Sequence, residues 1–205
     1  MIGDREMKKP FIGVYNLANC VTMLGIAAAV VGVSFAGNPR LAMLMLILAG
    51  VCDMFDGRVA RMFPRTELEK KYGIQLDSFA DTVSFVIFPA VFLIAQSRTA
   101  WTVLAAILYV FAGVTRLCWF DITTDGHTKY FSGMPVTTIA LFLPLWYAVA
   151  ALAHFTVPVL AVALSLVVMA VLFVANIRVK KPTGAATIVL AVIGLAMLLV
   201  LLLVK

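Results

Sequence analysis

The chain has 205 residues, is 63% apolar and only 13% charged, and has a mean hydropathy of +1.07. A water-soluble domain runs at roughly 45–50% apolar and about 25% charged. This much apolar surface cannot be hidden from water, so the composition reads as an integral membrane protein and excludes a soluble enzyme, a secreted disulfide scaffold and a nucleic-acid-binding domain; the net charge of +6 is then put down to cytoplasmic loops and anionic headgroups.

Seven apolar runs are about long enough to cross a bilayer as helices, which takes ~20 residues. They cover 16–36, 41–62, 74–96, 99–120, 134–153, 156–177 and 184–204. The predicted fold is an all-α polytopic transmembrane bundle, one domain over 1–205. No alternating pattern speaks for barrel strands. The turns between runs carry the breakers Gly37-Asn38-Pro39, Gly126, Pro135, Pro158 and Pro182.

The first run follows Lys8 and Lys9 and ends at Ser34-Phe35-Ala36, which resembles a cleavage site. It exceeds the ~7–15 residues of a signal h-region, so it is expected to be a retained helix. Basic residues set the orientation. Arg5, Lys8, Lys9, Arg58, Arg61, Arg65, Lys70, Lys71, Arg116, Lys129, Arg178, Lys180 and Lys181 fall on one side, and Arg40, Arg98 and Lys205 on the other. The richer side is expected to be the cytoplasm, with the N-terminus inside and the C-terminus outside. Cys20, Cys52 and Cys118 lack disulfide or metal spacing and read as small packing residues, and His127 and His154 as loop residues.

The anomaly lies in the second and third runs. Asp53 and Asp56 sit near the cytoplasmic end of one, Asp77 and Asp81 at the cytoplasmic start of the next. Spacings of three and four place each pair on one helix face, and consecutive antiparallel helices let the faces meet. Four carboxylates in one pocket repel and need protons or cations to coexist. Hard oxygen ligands suit two divalent cations, Mg²⁺ or Mn²⁺, and such centres catalyse displacement at phosphorus. Gly57, Ala60 and Gly73 leave room for a ligand against the backbone, and Arg61 can hold a phosphate bidentately. Arg58 reads as a snorkelling headgroup residue. The plain alternative is helix-end charges exposed to the cytoplasm. The other functional reading is an intramembrane cation or proton transporter, which would favour carboxylates nearer the midplane.

The run Asp53-x-x-Asp56-Gly57-x-x-Ala60-Arg61, followed by Gly73-x-x-x-Asp77-x-x-x-Asp81, resembles the signature of the CDP-alcohol phosphatidyltransferases. The family usually has eight residues between the Arg and the second Gly; here Met62 to Tyr72 make eleven, with the extra ones placed in the cytoplasmic turn around Pro64-Arg65-Thr66-Glu67. Asn19-Cys20-Val21-Thr22 is similar to the family's Asn-x-x-Thr segment. Leu76–Asp81, Arg116-Leu117-Cys118-Trp119-Phe120, Tyr130–Pro135 and Asn176–Lys180 resemble its phosphatidylserine synthase branch.

The resemblance covers residues 15–181, a six-helix core, and leaves 184–204 as an additional C-terminal helix. It implies that Asp53, Asp56, Asp77 and Asp81 hold the two metals, with Asp81 also the general base. It implies that Asn19, Thr22, Gly57, Ala60, Arg61 and Gly73 bind CDP-diacylglycerol, and that L-serine is the acceptor, with CMP leaving. Glycerol phosphate and inositol phosphate stay open as acceptors. A serine carboxylate needs a cation, for which Arg116 is placed, with Lys129, Tyr130 and Ser132 following on the same side. For Arg116 the alternative is an interfacial anchor beside Trp119. A homodimer in the cell membrane is also implied by the resemblance.

Overall fold

The computed structural model describes residues 12–123, 130–180 and 185–204, with only the backbone of 130–132, 180 and 185–188. The described residues form seven helices, one for each apolar run: α1 Leu17–Ser34, α2 Pro39–Met62, α3 Glu67–Gln96, α4 Ala100–Thr123, α5 Ile139–Leu152, α6 Val159–Val174 and α7 Ala185–Leu203. The chain is a membrane helical bundle. By length and composition α1, α3 and α4 suffice to cross a membrane; α2 is as long as α4 but carries Asp53, Asp56, Arg58 and Arg61 in its last turns.

The helix starts follow local chemistry. Asn16 caps α1, its side chain accepting from the Asn19 amide at 2.9 Å. Asn38 caps α2, with Pro39 in the first turn, where its missing N–H costs nothing. α3 starts at Glu67, earlier than the expected residue 74. Thr66 and Glu69 form a capping box: the Thr66 amide donates to Glu69 Oε2 at 2.7 Å and the Glu69 amide to Thr66 Oγ1 at 3.3 Å. The polar stretch before the apolar run is therefore helical, and the turn after α2 shrinks to residues 63–66.

α3 is continuous but not regular. Between α-helical Glu67–Asp81 and Phe88–Gln96 it opens into a π-helical turn over Thr82–Ile87. Pro89 is the cause in the sequence, because it has no N–H for the Phe85 carbonyl one turn back and its ring crowds that carbonyl. The Phe85 carbonyl accepts instead from the fully buried Tyr109 hydroxyl of α4 at 2.6 Å. A buried carbonyl left without a donor in lipid is costly, so this bond stabilises the irregular turn.

α1 lies along α2 through Ala18, Thr22, Gly25 and Ala29, all buried. Lipid tails are as apolar as the side chains, so close packing of small residues drives helix association here. Cys52 packs at this seam, its Cβ 3.3 Å from where a Cβ on Gly25 would lie. The expectation that all three cysteines pack inside is corrected for the other two: Cys20 and Cys118 face outward. Their helices are apolar all round, so the sequence gives no sign of which side turns in. Phe85, Phe88, Phe92, Tyr109, Leu143, Leu166 and Phe173 fill the centre.

One feature has no counterpart in the apolar pattern. β1, Tyr130–Ser132, pairs antiparallel with β2, Arg178–Lys180, Phe131 opposite Val179. Three residues per strand are too few to leave a periodic signature. The ladder ties the segment after α4 to the segment after α6. Gly133 follows at φ +78, donating its amide to the Ile177 carbonyl at 2.9 Å; a Cβ there would lie 2.3 Å from the Phe173 carbonyl oxygen. Only glycine fits.

Candidate active site

The end of α2, the start of α3, the end of α4 and the β ladder share one end of the bundle, because successive helices run antiparallel. All four aspartates of the sequence pattern converge there. Asp53, Asp56 and Asp77 each bring one carboxylate oxygen into a cluster whose members lie within 4.8 Å of one another. Asp81 faces Asp53 across the same space. Asp56 and Asp81 are buried, Asp53 and Asp77 half-buried. They line a small cavity of about 10 Å³ together with Thr22, Gly25, Ala49, Ala80, Ser84 and Phe85. That is room for about one water-sized sphere.

The cluster fits a hard divalent cation on two independent grounds. Three oxygen donors converge, and Asp81 Oδ1 is buried with no hydrogen-bond partner. Thr22 Oγ1 of α1 donates to Asp56 Oδ2 at 2.7 Å. α1 thereby fixes the orientation of an α2 ligand.

Above this cluster opens a second cavity of about 210 Å³, lined by Ala18, Asn19, Thr22, Asp56, Gly57, Ala60, Arg61, Arg65, Gly73, Ile74 and Asp77. All six residues that the resemblance assigned to the nucleotide donor are on its wall. A Cβ on Gly57 would meet nothing within 4 Å, whereas one on Gly73 would sit 3.4 Å from Arg65 Nη1 and 3.6 Å from Asn19 Oδ1. Asn19 is oriented by its own Nδ2, which donates to the Val14 carbonyl at 2.8 Å. The longer spacing after Arg61 therefore does not carry Gly73 away from the pocket. It also delivers Arg65, which sequence reasoning counted only for its charge, as a second guanidinium on the wall. Arg58 is exposed and lies over the Phe55 ring at 5.9 Å, outside the pocket, in keeping with a headgroup-facing role.

Arg116 points inward. It is buried, 4.8 Å over the Phe120 ring, and within electrostatic reach of Asp53, Asp81 and Asp121. Trp119, one turn on, is more than half exposed, whereas Arg116 is buried. The interfacial-anchor alternative for Arg116 does not fit this geometry. Lys129 lies outside the described residues, and for Tyr130 and Ser132 only the backbone is described, at the same end of the bundle. Ser78 and Asp121, which the sequence pattern did not single out, join α3 to α4 beside the cluster, the Ser78 hydroxyl lying 2.9 and 2.8 Å from the two Asp121 oxygens.

A family model for CDP-alcohol phosphatidyltransferases matches residues 15–204. The chain belongs to the CDP-alcohol phosphatidyltransferase family. Among its curated relatives is a CDP-diacylglycerol–serine O-phosphatidyltransferase of Saccharomyces cerevisiae, 34% identical over 156 residues, 70% of this chain and 52% of the relative. A protein of the same name from Mycobacterium bovis is 30% identical over 145 residues, 66% of this chain and 49% of the relative. An archaetidylserine synthase of Methanothermobacter thermautotrophicus is 26% identical over 188 residues, 90% of this chain and 76% of the relative. The chain spans about half the length of the first two.

Proposed function

We propose that the protein is a phosphatidylserine synthase, transferring the phosphatidyl group of CDP-diacylglycerol to the hydroxyl of L-serine. The observation that carries this reading is the junction of two cavities. A tight four-carboxylate cluster opens at Asp56 and Asp77 into a pocket walled by Gly57, Ala60, Gly73, Arg61 and Arg65. Small residues beside arginines suit a flat base and a pyrophosphate, and the acidic floor suits the cations that a pyrophosphate brings.

In this reading Asp53, Asp56, Asp77 and Asp81 would hold two divalent cations, Mg²⁺ or Mn²⁺, which would supply positive charge beside the phosphates. Arg61 and Arg65 grip the pyrophosphate, while Asn19, Thr22, Gly57, Ala60 and Gly73 seat the cytidine. The acyl chains stay in the bilayer. Arg116 binds the serine carboxylate, assisted by Lys129, Tyr130 and Ser132. Asp81 takes the proton of the serine hydroxyl. The new oxygen–phosphorus bond forms as the bond to the CMP phosphate breaks, CMP leaves, and no protein nucleophile is needed. The membrane is the cell membrane, the site faces the cytoplasm, and the working unit is a homodimer on the strength of the family resemblance. Residues 15–181 form the catalytic core.

A detergent assay offering CDP-diacylglycerol with L-serine, glycerol 3-phosphate or inositol phosphate tests the reading. CMP release with serine is expected. Release only with one of the phosphates would move the chain to another acceptor, and ion flux in liposomes with no CMP would make it a transporter.

A further inference from the structure

Asp121 occupies the last turn of α4, Ala100–Thr123. The free carbonyls at a helix C-terminus disfavour a carboxylate there. Asp77 stands within electrostatic reach and adds repulsion. Among the described residues, the groups on its favourable side include the neutral Ser78 hydroxyl at 2.9 and 2.8 Å and Arg116, which also answers to Asp53 and Asp81. Asp121 is half-buried, and it is not among the three aspartates whose oxygens converge as a metal cluster. A half-buried carboxylate beside the acidic cluster but outside it, held in place by Ser78 and near Arg116, is positioned to meet a cation in the working state.

The acceptor of the proposed reaction is such a cation in part. Serine brings a carboxylate and an ammonium, and its hydroxyl must reach Asp81. The carboxylate has Arg116. The ammonium arrives beside a centre that holds divalent cations, and without an anion of its own it is repelled. We propose that Asp121 is the ammonium subsite, so that Arg116 and Asp121 together select a zwitterionic hydroxy amino acid over an acceptor with no amino group. The inference rests on the reading of serine as acceptor. Ser78 then acts as a positioning residue, orienting the Asp121 carboxylate from α3.

The test compares L-serine with 3-hydroxypropanoate, which keeps the hydroxyl and the carboxylate and lacks the amine. Both are measured as substrates of the purified full chain with CDP-diacylglycerol, and 3-hydroxypropanoate also as a competitor of serine. Asp121→Asn keeps an acceptor for the Ser78 hydroxyl and removes the charge. The expected result is a serine KM about tenfold or more above wild type, the order of one lost charge-assisted contact, with 3-hydroxypropanoate binding unchanged or tighter. Asp121→Glu should restore most of the preference. Ser78→Ala, which removes the orienting hydroxyl but not the charge, should lower the preference for serine over 3-hydroxypropanoate, and by less than Asp121→Asn does. If Asp121→Asn weakens both acceptors equally, or neither, Asp121 only braces α3 against α4 and the proposal is overturned. Wild-type enzyme that releases no CMP with serine instead overturns the serine reading, and the proposal with it.

Discussion

Four carboxylates facing one another across about 10 Å³ cannot all stay charged without cations. Asp77→Asn is therefore expected to abolish turnover while the bundle still elutes as a folded species in detergent, and EDTA to silence the wild type. Near-normal activity in either case, read as CMP release, would refute a metal-dependent displacement. Thr22 is the cheaper probe. Thr22→Val keeps the shape and removes the 2.7 Å bond to Asp56. Losing a hydrogen bond to a charged group costs about 1.5–3 kcal/mol, so weaker metal activation is expected, checked by titrating activity against Mg²⁺. At this scale the aspartates were legible because charge in an apolar run stands out. Arg65 and Asp121 were not, since an arginine in a turn and an acid at a helix end look like ordinary solvated charges. Their neighbours come from distant parts of the chain: Gly73 of α3 and Asn19 of α1 for Arg65, Ser78 of α3 for Asp121.

α3 carries half of the acidic cluster and an interruption directly after it. The π turn at Thr82–Ile87 begins one residue past Asp81, and Phe85 lines the acidic cavity. π-type turns recur at functional sites because they re-aim side chains. Tyr109→Phe removes the hydroxyl that satisfies the Phe85 carbonyl. The expected loss is about 1–3 kcal/mol for an unsatisfied buried group, seen as thermal inactivation in detergent at a lower temperature. An unchanged inactivation curve would mean that the turn needs no support from α4. Pro89 made an irregularity legible in principle, but it could not say whether the helix would kink, break or open. That choice depends on a donor reaching in from α4, which no local pattern encodes. The start of α3 was missed for the opposite reason. The apolar run marks where the helix enters the lipid, whereas the Thr66–Glu69 box marks where it begins.

Across the whole molecule, hydropathy located the seven helices because lipid admits no other backbone solution at those depths. It left open which faces meet and that a β ladder joins the segments after α4 and α6. The site end carries the Arg61, Arg65, Lys70 and Lys71 group. The far end holds a cavity of about 460 Å³ lined by residues that include Asn38, Gln96, Phe155 and Leu201. There Arg40 of α2 donates from Nη2 to the Leu202 carbonyl at 2.7 Å and from Nε to the Leu201 carbonyl, docking the C-terminal end of α7. The basic asymmetry predicts that the site end faces the cytoplasm. A cysteine at exposed Glu67, in a background lacking Cys20, Cys52 and Cys118, should react with an impermeant reagent only from the inner face. Labelling of intact cells from outside would invert the topology.

In the proposed reaction the acidic cluster and the pocket above it pass a phosphatidyl group to serine. Its most direct measurement is the incorporation of radiolabelled L-serine into lipid by the purified chain in detergent, with CDP-diacylglycerol and Mg²⁺ or Mn²⁺. The expected result is labelled phosphatidylserine and stoichiometric CMP, both lost on chelation or on Asp81→Asn. Labelled lipid that persists without divalent cation, or CMP released only when glycerol 3-phosphate or inositol phosphate replaces serine, would contradict it.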